Sequence, residues 1–336
     1  MDFQFRVIRG TTAHRIITGD VAACQQVVAE AYLAHHRAES VNPNSYFLRF
    51  PEKPTARIIA LPAFLGGRFQ VAGIKWIASY PENTQRGFPR ASAVLLLNNY
   101  ETGYPYACLE SSIISAARTA ASAALAAEQM SHQGRTARRI GFVGTGLIAR
   151  YCYNFLMDLG WSSEQMVLFD HDPAAARRFA SEVCRSASHR EISVAPDHQS
   201  LVRDCDLIVL TTTAATPYIT DADLLRHNPL ILNVSLRDIS PEIILRSHNI
   251  VDDIGHVLNA NTSVHLAEQR VQHRNFIAGT LADLLTGTPR PDASRPRIFS
   301  PFGLGVLDLA VGHWVYHTAV TAGDCVDVDN FFALDA

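Results

Sequence analysis

Three cations stand in segments whose neighbours are almost all apolar: Arg57 in ARIIALP, Lys75 in GIKWIAS and Arg118 in ISAARTAASAA. A buried cation without a counter-charge is costly, so each implies a nearby anion. One answer is structural, a protein carboxylate or an aliphatic stem that carries the charge out to solvent. Taken together, the three point instead to a pocket for a substrate with several carboxylates, because arginine grips a carboxylate with two parallel N–H donors. A lysine buried near like charges loses its proton more easily and can move protons. Lys75 is therefore a candidate for both catalysis and substrate binding, and Arg57 and Arg118 for substrate binding.

A second chemistry is written in RRIGFVGTGLIARY, residues 138–151. A short apolar run leads into Gly144-x-Gly146-x-x-Ala149 and then into a helical stretch. The first glycine allows a tight turn, the second lets the backbone approach a pyrophosphate, and the small third residue lets helix pack on strand. The amides of Thr145, Gly146, Leu147 and Ile148 would face the phosphates at the positive end of the helix. A glycine run alone is weak evidence, and the residues downstream of it carry the check. QMVLFD, residues 165–170, is a second strand-like run ending in an acid, and Asp170 lies 21 positions after Ala149 (170 − 149). That is close to the spacing of about 20 for the acid that binds the ribose hydroxyls. His171 and Asp172 follow it rather than an arginine, so a 2′-phosphate would be repelled and NAD is expected rather than NADP.

Two further segments lie where such a sheet binds ligands, at the carboxyl ends of its strands. NVSLRDISPEII, residues 233–244, places Asp238 to meet a substrate amine and Ser235 beside the cofactor. A helix cap or turn is an equally good use of that aspartate. LTTTAATP, residues 210–217, offers Thr211, Thr212 and Thr213 to the nicotinamide end, or simply β-branched residues to a strand.

From residue 138 strand and helix patterns alternate. RIGFV, QMVLF, EISVA, DLIVLTTT, LILNVSL and NIVDD read as strands, and FIAGTLADLLTGTPRP as a closing helix. That rhythm predicts a doubly wound parallel sheet of Rossmann type over 131–299. The first 130 residues lack it. They read as strands joined by turns, then the long helix SSIISAARTAASAALAAEQM, in α+β style, with the polar stretch 131–139 as the joint. The tail PFGLGVLDLAVGHWVYHTAVTAG is helical, with Leu304, Leu307, Val311 and Val315 on one stripe. The fold class is thus α/β: an NAD domain at 131–299, and an α+β substrate and dimerisation domain at 1–130 completed by 300–336.

The 336 residues are 48% hydrophobic with a formal net charge of −3. That supplies a large core and gives no electrostatic case for nucleic acid. No apolar run is long enough for a membrane span. The N-terminus lacks the apolar core of a signal peptide. Six cysteines lie scattered without a C-x-x-C pair, as expected of reduced thiols in a cytoplasmic protein. The histidines show no metal-binding spacing.

RIIALPAFLGG, GIKWIASYPEN, ETGYPYACLESSIISAARTAASA, VGTGLIAR and SPFGLGVLDLA occur in that order. In these segments, from about residue 40 to about 320, the chain resembles the ornithine cyclodeaminase/μ-crystallin family. The resemblance implies an NAD-dependent enzyme acting on a CH–NH bond of an amino acid, and a homodimer formed through the N-terminal domain. It implies that Arg57, Lys75 and Arg118 hold substrate carboxylates and transfer protons, that Asp238 meets the amine, that Asn83 lies on the substrate side, and that Gly144, Gly146 and Asp170 hold NAD. Cyclodeaminases of the family carry a P-G-K-x-E run after that aspartate. Here Asp238 is followed by ISPEI, with Glu242 but no Gly-Lys, which points away from ornithine. An ornithine cyclodeaminase or a ketimine or alanine-type dehydrogenase of the same family, and a non-catalytic NAD(H)-dependent binding protein, are the other readings.

Overall fold

The computed structural model describes residues 4–184 and 188–332. The chain divides into two compact units, residues 1–118 with 304–336 and residues 119–303. The first division falls inside a long helix rather than in the polar stretch 131–139.

The first unit begins with β1 (Phe5–Ile8), α1 (Gly10–Gly19) and α2 (Val21–His36). β2 (Ser40–Val41), β3 (Tyr46–Phe50), β4 (Lys53–Leu65), β5 (Val71–Ser79), β6 (Ala91–Asn99) and β7 (Pro105–Glu110) follow, then α3 (Ser112–Met130), which runs on into the second unit. The second unit continues with β8 (Thr136–Val143), α4 (Leu147–Asp158), β9 (Ser162–Phe169), α5 (Pro173–Val183), β10 (His189–Val194), α6 (His198–Asp204), β11 (Leu207–Leu210), β12 (Leu230–Asn233), α7 (Pro241–Arg246), β13 (His248–Val251), α8 (Ile254–Val257), α9 (Ser263–Val271), β14 (Ile277–Thr280), α10 (Leu281–Leu285) and β15 (Arg297–Ser300). The chain returns to the first unit with α11 (Gly305–Thr321) and β16 (Val326–Val328).

In the first unit the strand order is β16-β1-β7-β6-β5-β4-β2, with β3 also on β4. Long β4, β5 and β6 pair antiparallel over nearly their whole length. Because side chains alternate across a sheet, Arg57, Lys75 and Ser79 share one face. α11 covers that face of β4, β5 and β6 and packs beside α2. It comes very close: a Cβ on Gly312 would lie 2.2 Å from Leu95 Cδ2. Gly305, Asp308 and Gly312 recur at helical spacing, so the same closeness carries Asp308 onto the sheet.

In the second unit the order is β10-β9-β8-β11-β12-β15-β13-β14, and its adjacent pairs are parallel. The order reverses between β8 and β11, which is where ligands bind in such sheets. Two sequence expectations change. Strand β11 stops at Leu210, so Thr211–Thr213 are loop residues beyond its end rather than strand formers. The stretch expected to be one closing helix is a strand, Ile277–Thr280, followed by a five-residue helix. Thr280 and Asp283 form a reciprocal capping box that starts the helix at Leu281.

Candidate active site

In the first unit Lys75 is 2% exposed and Asp308 is fully buried. Lys75 Nζ lies 2.6 Å from Asp308 Oδ2 and donates to Ser115 Oγ at 3.2 Å. Arg118 Nε reaches the other oxygen, Asp308 Oδ1, at 3.4 Å. Two cations from β5 and α3 therefore share one carboxylate from α11. Burial pushes the lysine pKa down against the pull of Asp308, with Arg118 pushing the same way as burial, and it settles at about 8. A lysine so placed can exchange a proton near neutral pH.

Arg57 sits four pairs further along the ladder, opposite Ser79 on one side and Arg49 on the other. Its Nε is buried with no hydrogen-bond partner. Asn83 lies in a short 3-10 turn, Pro81–Arg86, and donates to the Pro89 carbonyl at 3.4 Å. Its contacts shape the turn between β5 and β6.

In the second unit the glycine loop follows β8 directly. Gly144 has φ +87°, and a Cβ there would lie 2.8 Å from the Thr211 carbonyl oxygen, so only glycine fits. A Cβ on Gly146 would meet nothing within 4 Å. Gly146 caps α4 without a side-chain hydrogen bond, which leaves the amide end of the helix, with Leu147 and Ile148 in its first turn, open to an anion. Asp170 lies just past β9. One of its oxygens accepts from both Thr145 N and Thr145 Oγ1, each at 2.8 Å, and the other from Asp172 N at 3.0 Å. The acid therefore braces the loop it would share with the ribose. The residues present fit a dinucleotide.

Thr211 donates through its hydroxyl to the Gly144 carbonyl at 2.9 Å, which ties β11 to the glycine loop. Thr212 donates to Asp238 Oδ1 at 2.5 Å, and Ser235 donates to Asp238 Oδ2. Thr213 is exposed. Asp238 is fully buried, and its loop passes through Leu236, a non-glycine residue at φ +80°. Such a backbone costs of order 1–3 kcal/mol and persists only where its surroundings hold it; here Ser263 N donates to the Leu236 carbonyl at 2.8 Å. The loop is built to hold Ser235 and Asp238 in place. Tyr218 OH is buried beside this carboxylate, and burial and the carboxylate raise its pKa. Glu242 pairs with Arg270 on α9.

Sequence reasoning missed Asp308, Ser115 and Tyr218. Asp308 had a signal, a single acid in the apolar run GVLDLAVG, of the kind that marked the three cations. The other two are ordinary residue types that only the fold brings to a charge. Among the described residues no group of three or more His, Cys, Asp or Glu could hold a metal ion, and no helix is long and apolar enough to cross a membrane.

The chain is similar to the N-((2S)-2-amino-2-carboxyethyl)-L-glutamate dehydrogenase of Staphylococcus aureus (strain NCTC 8325 / PS 47), 28% identical over 300 residues, 87% of this chain and 88% of the relative. The Thermococcus litoralis Delta(1)-pyrroline-2-carboxylate reductase in complex with NADH and L-proline has the same fold. Its TM-score is 0.88 at 22% identity, over 96% of this chain and 100% of that one. An archaeal alanine dehydrogenase dimer with bound NAD matches with a TM-score of 0.84 at 23% identity, over 98% and 100%. The model of the ornithine cyclodeaminase/mu-crystallin family matches residues 13–323. With nearly its whole length matched, the chain belongs to the ornithine cyclodeaminase/mu-crystallin family.

Proposed function

We propose that this NAD-dependent oxidoreductase of amino-acid CH–NH bonds acts on N-(2-amino-2-carboxyethyl)-L-glutamate, releasing 2-oxoglutarate and L-2,3-diaminopropionate for siderophore or related secondary-metabolite biosynthesis. The observation that carries the reading is the excess of cations in the first unit. Lys75 and Arg118 meet at the one carboxylate of Asp308, and Arg57 has a buried, unpartnered Nε. That surplus suits a substrate with three carboxylates better than a simple monocarboxylic amino acid. The similarity to the staphylococcal dehydrogenase supports the same substrate.

When bound, NAD⁺ supplies the hydride acceptor. Loss of hydride from the glutamate Cα and of the amine proton leaves a carbon–nitrogen double bond. Water adds to that carbon, and cleavage of the C–N bond frees the ketone and the amine, with one water consumed and one proton released overall. Arg57 and Arg118 hold carboxylates and fix the orientation of the reacting C–H, an effect that can be worth several kcal/mol. Lys75, with its pKa near 8, exchanges the proton of the attacking water. Asp238, fixed by Thr212 and Ser235, receives the amine. Gly144, Thr145, Gly146, Leu147, Ile148 and Asp170 hold the cofactor, with Thr211, Thr212, Thr213 and Ser235 toward its nicotinamide end. Protein mixed with the amino-glutamate and NAD⁺ is expected to form NADH, 2-oxoglutarate and diaminopropionate in equal amounts. Proline and ammonia from ornithine, with no NADH from the amino-glutamate, would instead assign a cyclodeaminase.

The face of the first sheet opposite α11 supports the homodimer. Tyr46, Ala60, Trp76 and Val94 form a row across four strands of that face. Tyr46, Trp76 and Val94 are 81%, 42% and 41% exposed, an apolar surface of the kind that association covers. Trp76→Glu is expected to yield monomers by sedimentation, and an unchanged mass would remove this face from the interface.

A further inference from the structure

The turn that Asn83 shapes ends at Arg90, a residue with no role so far. Tyr80 N donates to the Arg90 carbonyl at 2.8 Å, closing the turn, and Arg90 Nη1 donates to Ser79 Oγ at 2.8 Å. Ser79 is buried and is the cross-strand partner of Arg57. Two guanidinium groups thus flank one serine at the end of β5. A third, Arg49, stands directly opposite Arg57 on β3. Like charges placed opposite one another in a ladder are destabilising. Among the described residues no carboxylate pairs with Arg57 or Arg90. Burial and the neighbouring arginine lower the pKa of each, Arg49 acting on Arg57 and Arg57 acting on Arg90. Near Lys75 and Arg118 the protein supplies its own anion, Asp308; the arginines at Ser79 have no such pair among the described residues.

We propose that Arg90, with Arg57 and Ser79, forms a second anion subsite that selects substrates by a carboxylate additional to the one bound near Lys75 and Arg118. The inference deepens the reading above and rests on the substrate's carboxylates lying among the cations of the first unit. Two guanidinium groups provide a planar, multi-donor grip that a carboxylate matches. An anion there would also relieve the repulsion among the arginines, so binding and local stability would rise together. Arg90 is a specificity residue on this account. Its hydroxyl partner Ser79 orients it, and removing its charge leaves the machinery at Lys75 and Asp308 untouched.

The test is calorimetric binding to the NADH-loaded protein of 2-oxoglutarate and of 2-oxopentanoate, which carries a methyl in place of the distal carboxylate. The unaltered protein is expected to prefer 2-oxoglutarate by roughly tenfold or more, the scale of one charge-assisted hydrogen bond. Arg90→Gln keeps a donor for Ser79 but loses the charge, and the preference is expected to fall to about threefold or less. Arg90→Lys is expected to keep an intermediate preference, and NADH affinity is expected to stay the same in both. An unaltered preference in Arg90→Gln, or no preference in the unaltered protein, overturns the subsite. If the amino-glutamate yields no NADH while an Arg90-dependent preference persists, the proposed reaction fails and the subsite stands.

Discussion

The two units hold their key acids in opposite ways. In the first, Asp308 is buried against charge, with Lys75 and Arg118 on its two oxygens. In the second, Asp170 and Asp238 are held by neutral donors, Thr145 and Asp172 amides and hydroxyls of Thr145, Thr212 and Ser235. A charge cluster of the first kind is sensitive to the loss of any member, because the remainder is left buried and uncompensated. A carboxylate cradled by hydroxyls keeps its place with less at stake. The first arrangement suits proton transfer and anion binding; the second suits holding a cofactor and orienting an amine.

That difference sets the order of expected effects. Lys75→Ala should cost the most turnover, on the order of 10²–10⁴-fold in kcat, as for a positioned proton-transfer group. Retention of more than about a tenth of wild-type turnover would make the lysine structural. Asp308→Asn comes next. It leaves two buried cations without their anion and should lower unfolding stability by about 3–5 kcal/mol in denaturant titrations. The same variant sharpens the pH dependence. If Lys75 must be neutral to accept a proton, kcat/KM rises through about pH 8 as the lysine deprotonates. Asp308 raises that pKa, so without it the rise moves to lower pH. A limb that stays in place would separate Lys75 from the observed ionisation. Asp170→Ala should have a smaller effect, weakening NAD⁺ and narrowing its advantage over NADP⁺ in a fluorescence titration without loss of fold. Equal binding of both cofactors by the unaltered protein would remove Asp170 from the ribose.

Legibility followed the same division. The parts of the second candidate site are close in sequence: the glycine turn, the helix start and Asp170 fall within residues 144–170, and each carries a local signature. The cations of the first unit were readable because charge in an apolar segment is conspicuous. Their shared anion was not, because Asp308 lies 233 positions from Lys75 and only the close seating of α11 brings them together. Arg90 carries no signal of its own in the sequence; only the pairing of β4 with β5, which sets Arg57 across from Ser79, brings it beside another arginine. The insertion of β15 between β12 and β13 is likewise a matter of long-range pairing that periodicity does not encode. By contrast, the start of α10 was available in the T-x-x-D of the capping box. The helical pattern of its neighbours outweighed that signal, and the β-branched residues before it were absorbed into the helix.

The central claim is a division of labour, with substrate carboxylates held by the charges of the first unit and NAD held by the second. Arg118→Ala tests it most directly, through the KM for the amino-glutamate and the Kd for NAD⁺ measured on the same preparation. The account predicts a KM raised by roughly tenfold or more, the loss of a charge-assisted pair, with NAD⁺ affinity unchanged. A KM equal to wild type, or a loss of NAD⁺ binding as large as the loss of substrate binding, would contradict it.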